Sequence, residues 1–223
     1  MLYVRFVPLM MALFMGGMVP AGLLHADHVS FAATMLDKSP DPINQKFREL
    51  LNQNQIEPLR AYIASGVNIN TADAKRVSPI HYAAYMGHVE ALRLLINKGV
   101  DLKAAAFGGW SALHYAAFRG HVEAVNLLVA MGIPIDVPDV GGESPIFYAI
   151  EAGQLPVVQW LIEHGANLRH ANNKQETPLS RAEHASKPVA DYLRGRDTSK
   201  PTSKPVEQKG TSHEGHHEHQ KTP

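Results

Sequence analysis

Serine and histidine recur at a fixed spacing in this chain. Ser78 precedes His81 by three positions, and Ser111 precedes His114 by the same three. A hydroxyl and an imidazole held at such a spacing could act as nucleophile and general base. A second constellation lies near the C-terminus, where His213-Glu214-Gly215-His216-His217 matches the His-Glu-x-x-His pattern of zinc hydrolases. That chemistry needs a helix presenting both histidines on one face, a third ligand and a cleft that excludes water. Gly215 weakens any such helix and no large apolar residue flanks the motif. What survives is looser coordination of Zn²⁺, Ni²⁺ or Cu²⁺ by His213, His216, His217 and His219, set against a plain solvated tail. No catalytic residue and no cofactor is assigned. Gly108-Gly109 and Gly141-Gly142 have no phosphate-loop context, and no Gly-x-Ser-x-Gly elbow exists.

Composition narrows the classes further. Lys plus Arg and Asp plus Glu are equal at 21 each, so no global field draws the chain to nucleic acid or anionic lipid. The cysteine count is 0, which removes disulfides, thiolate metal sites and a cysteine nucleophile.

The serines and histidines belong to a longer pattern. Ser78-Pro79-Ile80-His81-Tyr82-Ala83-Ala84 returns as Ser111-Ala112-Leu113-His114-Tyr115-Ala116-Ala117. It returns again as Ser144-Pro145-Ile146-Phe147-Tyr148-Ala149-Ile150, and as Thr177-Pro178-Leu179-Ser180-Arg181-Ala182-Glu183. The starts at 78, 111, 144 and 177 are 33 apart, a period that marks a stacked array. Within each unit the Ser or Thr is placed to cap a helix, with Pro in the first turn of three of them. Small alanines let neighbouring helices approach closely. Gly87, Gly120 and Gly153 stop the first helix. A second helix carries Val89, Leu92, Leu94 and Leu95, and its later equivalents, before Gly99, Gly132 and Gly165.

The Ser-Pro-Ile-His-Tyr-Ala-Ala run, Gly87-His88-Val89-Glu90, Gly120-His121-Val122-Glu123 and Gly165-Ala166-Asn167 resemble ankyrin repeats, over about residues 43–196. The resemblance implies an all-α fold: an ankyrin-repeat solenoid of antiparallel helix pairs joined by β-turn connectors. It implies that His81 and His114 tie a helix start to the neighbouring turn rather than act in catalysis. The units are 43–73, an N-terminal capping repeat; 74–106, 107–139 and 140–172, full repeats; and 173–196, a C-terminal capping repeat. The chain departs from the pattern at Phe147 and Ser180, which replace the motif histidine, and at Arg76 and Gln175, which stand where Gly109 and Gly142 follow the turn glycine. The last repeat is one residue short between its helices.

Residues 1–26 resemble a secretory signal peptide, with Arg5 ahead of an apolar run from Phe6 to Leu24. Cuts after Ala26, Ala21 or Ala32 all suit small-residue rules, and an uncleaved anchor is the alternative. Either reading puts the remainder outside the cytoplasm. The absence of cysteine and of any Asn-x-Ser/Thr sequon favours a bacterial periplasm, with secretion as the alternative. Residues 27–42 read as a lead-in and 197–223 as a disordered, His-rich tail.

In ankyrin arrays the turn tips and the exposed ends of the first helices line the recognition face. By register that face takes Lys75, Val77, Tyr85 and Met86, then Phe107, Trp110, Phe118 and Arg119. Further along it takes Val140, Glu143 and Glu151, and lastly Lys174, Glu176 and His184. The expectation is a face aromatic over its first half and acidic over its second, docking another protein to a monomeric scaffold. Neither nucleic acid nor a membrane, export aside, is expected as a partner.

Overall fold

The computed structural model describes residues 42–196, and within them ten α-helices run in sequence. They are α1 (Pro42–Asn52), α2 (Ile56–Ala64), α3 (Pro79–Met86), α4 (Val89–Asn97), α5 (Ala112–Arg119), α6 (Val122–Ala130), α7 (Pro145–Glu151), α8 (Leu155–Glu163), α9 (Pro178–Ala185) and α10 (Lys187–Arg194). A single 3-10 turn, Phe107–Gly109, lies in one connector. The signal peptide, most of the lead-in, the tail and its four histidines lie outside the described residues.

Each helix pair is short because its stops are local. Gly87 and Gly120 end α3 and α5 in the left-handed conformation, at φ of +70° and +80°, where an L-residue pays a steric penalty. Lone helices of eight or nine residues would not persist in water, so stacking must supply the stability. The odd-numbered helices form one layer, α1 on α3 on α5 on α7 on α9. The even-numbered ones form a second, α2 on α4 on α6 on α8 on α10. The layers meet over a continuous core. Ala83, Ala84, Ala116, Ala117 and Ala149 are fully buried where inner helices touch, and Leu92, Leu95, Val125, Leu128, Val158 and Leu161 fill the space behind them. Trp160, in phase with Leu94 and Leu127, is only partly buried, and its ring stacks on His164 at 3.7 Å.

The connectors are stitched across repeats by main-chain bonds. Phe107 N–H donates to Lys75 O, Val140 N–H to Gly108 O and Asn173 N–H to Gly141 O, each at 2.9 Å. Each tip needs a left-handed residue, and positions 76, 109, 142 and 175 all have positive φ. Glycine is obligatory at 109, since a Cβ there would sit 2.8 Å from Val140 N. Arg76 and Gln175 adopt the same conformation at φ of 60° and 63° without that freedom. In the last repeat Ser186 alone separates α9 from α10, the one-residue shortening visible in the sequence.

Candidate protein-binding face

The two motif histidines are built into the array. Both are fully buried. Ser78 N–H donates to His81 Nδ1 at 3.1 Å, the Ser78 hydroxyl lies 2.9 Å from the same nitrogen, and Nε2–H donates to Ala104 O at 3.1 Å. His114 repeats the scheme with Ser111 and with Glu143 O at 3.1 Å. A ring nitrogen that accepts from a backbone N–H and another that donates to a carbonyl define the neutral Nε2–H tautomer. Burial accordingly lowers both pKa values to about 4, against the opposing pull of the backbone bond. Each Nδ1 is engaged by the backbone N–H and hydroxyl of its own cap serine and each Nε2 by a carbonyl of the next turn, so these residues are ties between repeats.

The tie fails where Phe147 replaces histidine. Ser144 Oγ is buried there without any partner. In the last repeat Thr177 and Ser180 cap each other instead.

Arg181 takes over the inter-repeat connection at that point. It occupies the register held by Tyr82, Tyr115 and Tyr148 in earlier units. Its guanidinium, 6 % exposed, lies 5.7 Å from the Phe147 ring and binds three carboxylates. Nη1 donates to Glu151 at 2.9 Å, and Nη2 donates to Glu176 at 2.6 Å and to Glu143. Asn172 donates to Glu143 and Glu176 as well, at 2.8 and 2.9 Å. Burial works to lower the Arg181 pKa, but hydrogen bonds and charge from Glu176 and Glu143 raise it on balance. For Glu176, burial pushes upward and the Arg181 and Asn172 bonds pull the pKa below its usual value.

Trp110 is the centre of a second buried cluster. Its ring lies 4.2 Å from Tyr148, 5.1 Å from Tyr115 and 6.0 Å from Phe118, centroid to centroid. Its indole N–H donates to Tyr148 OH at 3.1 Å, and that hydroxyl donates to Asp139 at 2.5 Å. Burial first, then the Asp139 charge, pushes the Tyr148 pKa up.

These clusters correct half of the expected face. Trp110 and Phe118 are each 5 % exposed and Val77 is fully buried, so all three are core rather than docking anchors. The reason is spatial: Ala106 stands where Asp73 and Asp139 stand in other turns, and the indole fills the room a tyrosine–aspartate pair would share. Glu143 and Glu151 are likewise enclosed and bound to Arg181, not displayed as an acidic surface. The sequence places Arg181 on the polar outer face of the capping repeat with Glu183, His184 and Lys187, and the structure corrects this: Arg181 is 6 % exposed, turned in toward Phe147 in the tyrosine register.

The remaining residues do reach the surface. Phe107 is 50 % and Val140 75 % exposed, on adjacent turn tips. Lys75, Tyr85 and Met86 are partly exposed, and Arg119 is exposed with its guanidinium 4.6 Å from the Tyr85 ring centre. Among the described residues no cluster of three His, Asp or Glu could hold a metal ion, and no helix is long and apolar enough to cross a membrane.

The model of the family described as ankyrin repeats (3 copies) matches residues 49–139 and 134–204. A comparison with curated proteins found no match. The period, the paired layers, the histidine ties and the family match agree, and the chain belongs to the ankyrin-repeat family, whose arrays serve as protein-interaction scaffolds.

Proposed function

We propose that this chain is a non-enzymatic scaffold, exported from the cytoplasm, that captures another protein on the face formed by its turn tips and inner helices. The observation that carries this reading is the pair of exposed apolar tips, Phe107 and Val140, locked at fixed spacing by the main-chain bonds between turns. Rigid, solvent-facing apolar groups rimmed by polar ones mark docking sites, because they lose little entropy on binding. Tyr85, Met86 and Arg119 extend the patch along the inner helices. Enzyme chemistry finds no support in the histidines, whose ring nitrogens are committed to structural bonds.

The test is crosslinking in the compartment where the protein resides, comparing the wild type with Phe107→Ser/Val140→Ser and Tyr85→Ala variants. These positions are surface or half-buried, so circular dichroism should be unchanged while partner capture is lost. Capture that survives both variants would remove this face from consideration. Replacing Trp110 or Phe118 is unsuitable, since truncating a buried aromatic costs about 3–5 kcal/mol and would unfold the local array. Export rests on residues 1–26. Alkaline phosphatase fused after residue 42 should be active in an exporting bacterium, and an inactive fusion would refute export.

A further inference from the structure

We infer that the partner segment is acidic, with an aromatic or aliphatic side chain beside its carboxylates, and that it lies over the first two full repeats. This rests on the docking face proposed above and adds its charge. One exposed cation lies over an accessible ring there, and another sits on the turn tip bonded to Phe107's. Arg119 lies over Tyr85 at 4.6 Å, and Arg76 follows Lys75, whose carbonyl accepts from Phe107 N–H at 2.9 Å. Both arginines are exposed, and neither forms a salt bridge among the described residues.

The carboxylate beside the first tip faces inward. Asp73 is buried and spends its oxygens on the Tyr82 hydroxyl at 3.1 Å and on the backbone N–H groups of Lys75 and Val77 at 2.9 and 2.8 Å. The twelve tip residues, 74–76, 107–109, 140–142 and 173–175, include Lys75, Arg76 and Lys174 but no Asp or Glu. A carboxylate arriving beside Tyr85 therefore meets an arginine that stacks on the ring but has no carboxylate to give up among the described residues. The second half of the face selects the position. Glu143, Glu151 and Glu176 share one guanidinium, so the cluster keeps a net negative charge, which reaches the surface at Glu176, whose side chain is 36 % exposed. It attracts no acidic segment, and like-charge juxtaposition keeps such a segment over the first half.

The experiment pans a random dodecapeptide display library against the full-length chain. Enriched peptides are then synthesised with a fluorophore, and their affinities measured by anisotropy against six proteins: wild type, Arg119→Glu, Arg76→Glu, Tyr85→Ala, Phe107→Ser and an outer-helix control, Arg93→Glu. Enrichment of acidic peptides carrying an aromatic or aliphatic residue is expected. Affinity should fall roughly ten-fold or more in Arg119→Glu and Arg76→Glu and stay unchanged in Arg93→Glu. Circular dichroism of each variant establishes that it is folded. Enrichment of neutral or basic peptides that still depend on Tyr85 and Phe107 would overturn the charge assignment while leaving the face intact. Failure to enrich, or binding indifferent to Tyr85, Phe107 and both arginines, would overturn the charge assignment and the face together.

Discussion

Replacing Arg181 with methionine should unlatch the C-terminal repeat. The substitution keeps most of the side-chain volume, so the effect isolates charge. It leaves Glu143 and Glu151, whose side chains are 8 % and 6 % exposed, without their counter-ion. Removing one partner of a buried ion pair costs about 3–5 kcal/mol, because the surviving charge remains desolvated. The loss falls on the interface between α7 and α9, and in a stacked array stability is summed repeat by repeat. Hydrogen exchange should therefore accelerate in α9 and α10 while α5 and α6 keep their protection. The pH dependence carries the sign. In the wild type Glu176 has a lowered pKa, so its contribution is present above the unfolded value of 4.5 and is lost as pH falls through the folded value. The variant lacks that contribution, so the gap between the two proteins should be full above about pH 4.5 and shrink as pH falls below it. His81 and His114 titrate in both proteins and cancel from the difference. Adding Glu143→Gln and Glu151→Gln to the methionine variant should restore part of the loss, since neutral amides do not require a counter-ion. Urea denaturation across pH checks all of this. A deficit below about 1 kcal/mol, or one independent of pH, would refute the latch.

Three further outcomes follow from the same geometry. Because burial holds the His81 and His114 pKa values near 4 against 6.5 when unfolded, their contribution is complete above pH 6.5. It is lost as pH falls toward 4, by about 3 kcal/mol for each histidine, as urea midpoints in wild type and a His114→Gln variant would reveal. Ser144→Ala should be neutral or stabilising by up to about 1 kcal/mol in thermal melts, whereas Ser111→Ala should cost about 1–2 kcal/mol, since only Ser111 Oγ has a partner. Gln175→Gly should stabilise the array by roughly 0.5–1 kcal/mol by removing the Cβ clash at φ of 63°, and Gly109→Ala should destabilise it because its Cβ would meet Val140 N, both measurable by denaturant midpoint.

The architecture was legible because it is local. A serine cap, an alanine pair, a glycine stop and a return after 33 residues each act within a few positions, and their recurrence left one way to stack. The capping role of His81 and His114 was legible for the same reason, while their bonds to the neighbouring turn, 23 and 29 positions away, were implied by the family resemblance. Exposure on the face was not, because it depends on contacts from the next repeat. Register correctly placed Trp110 at the junction of turn and inner helix, but Tyr148, 38 positions later, encloses it. Register assigned Glu143 and Glu151 to the face, and Arg181, 38 and 30 positions away, removes them from the surface.

Those two corrections share a cause that lies in the array itself. Each inner helix presents its tyrosine register toward the turn before it, where Asp73 and Asp139 receive the hydroxyls of Tyr82 and Tyr148. When the turn supplies alanine at 106, an indole from position 110 fills the gap and gives up its exposure. When the helix supplies arginine at 181, glutamates gather at 143, 151 and 176 and give up most of their charge display. Tyr85, Phe107, Arg76 and Arg119, all in the first two full repeats, are not recruited into such a swap. Their side chains stay partly or fully at the surface, which is the physical reason to expect recognition there.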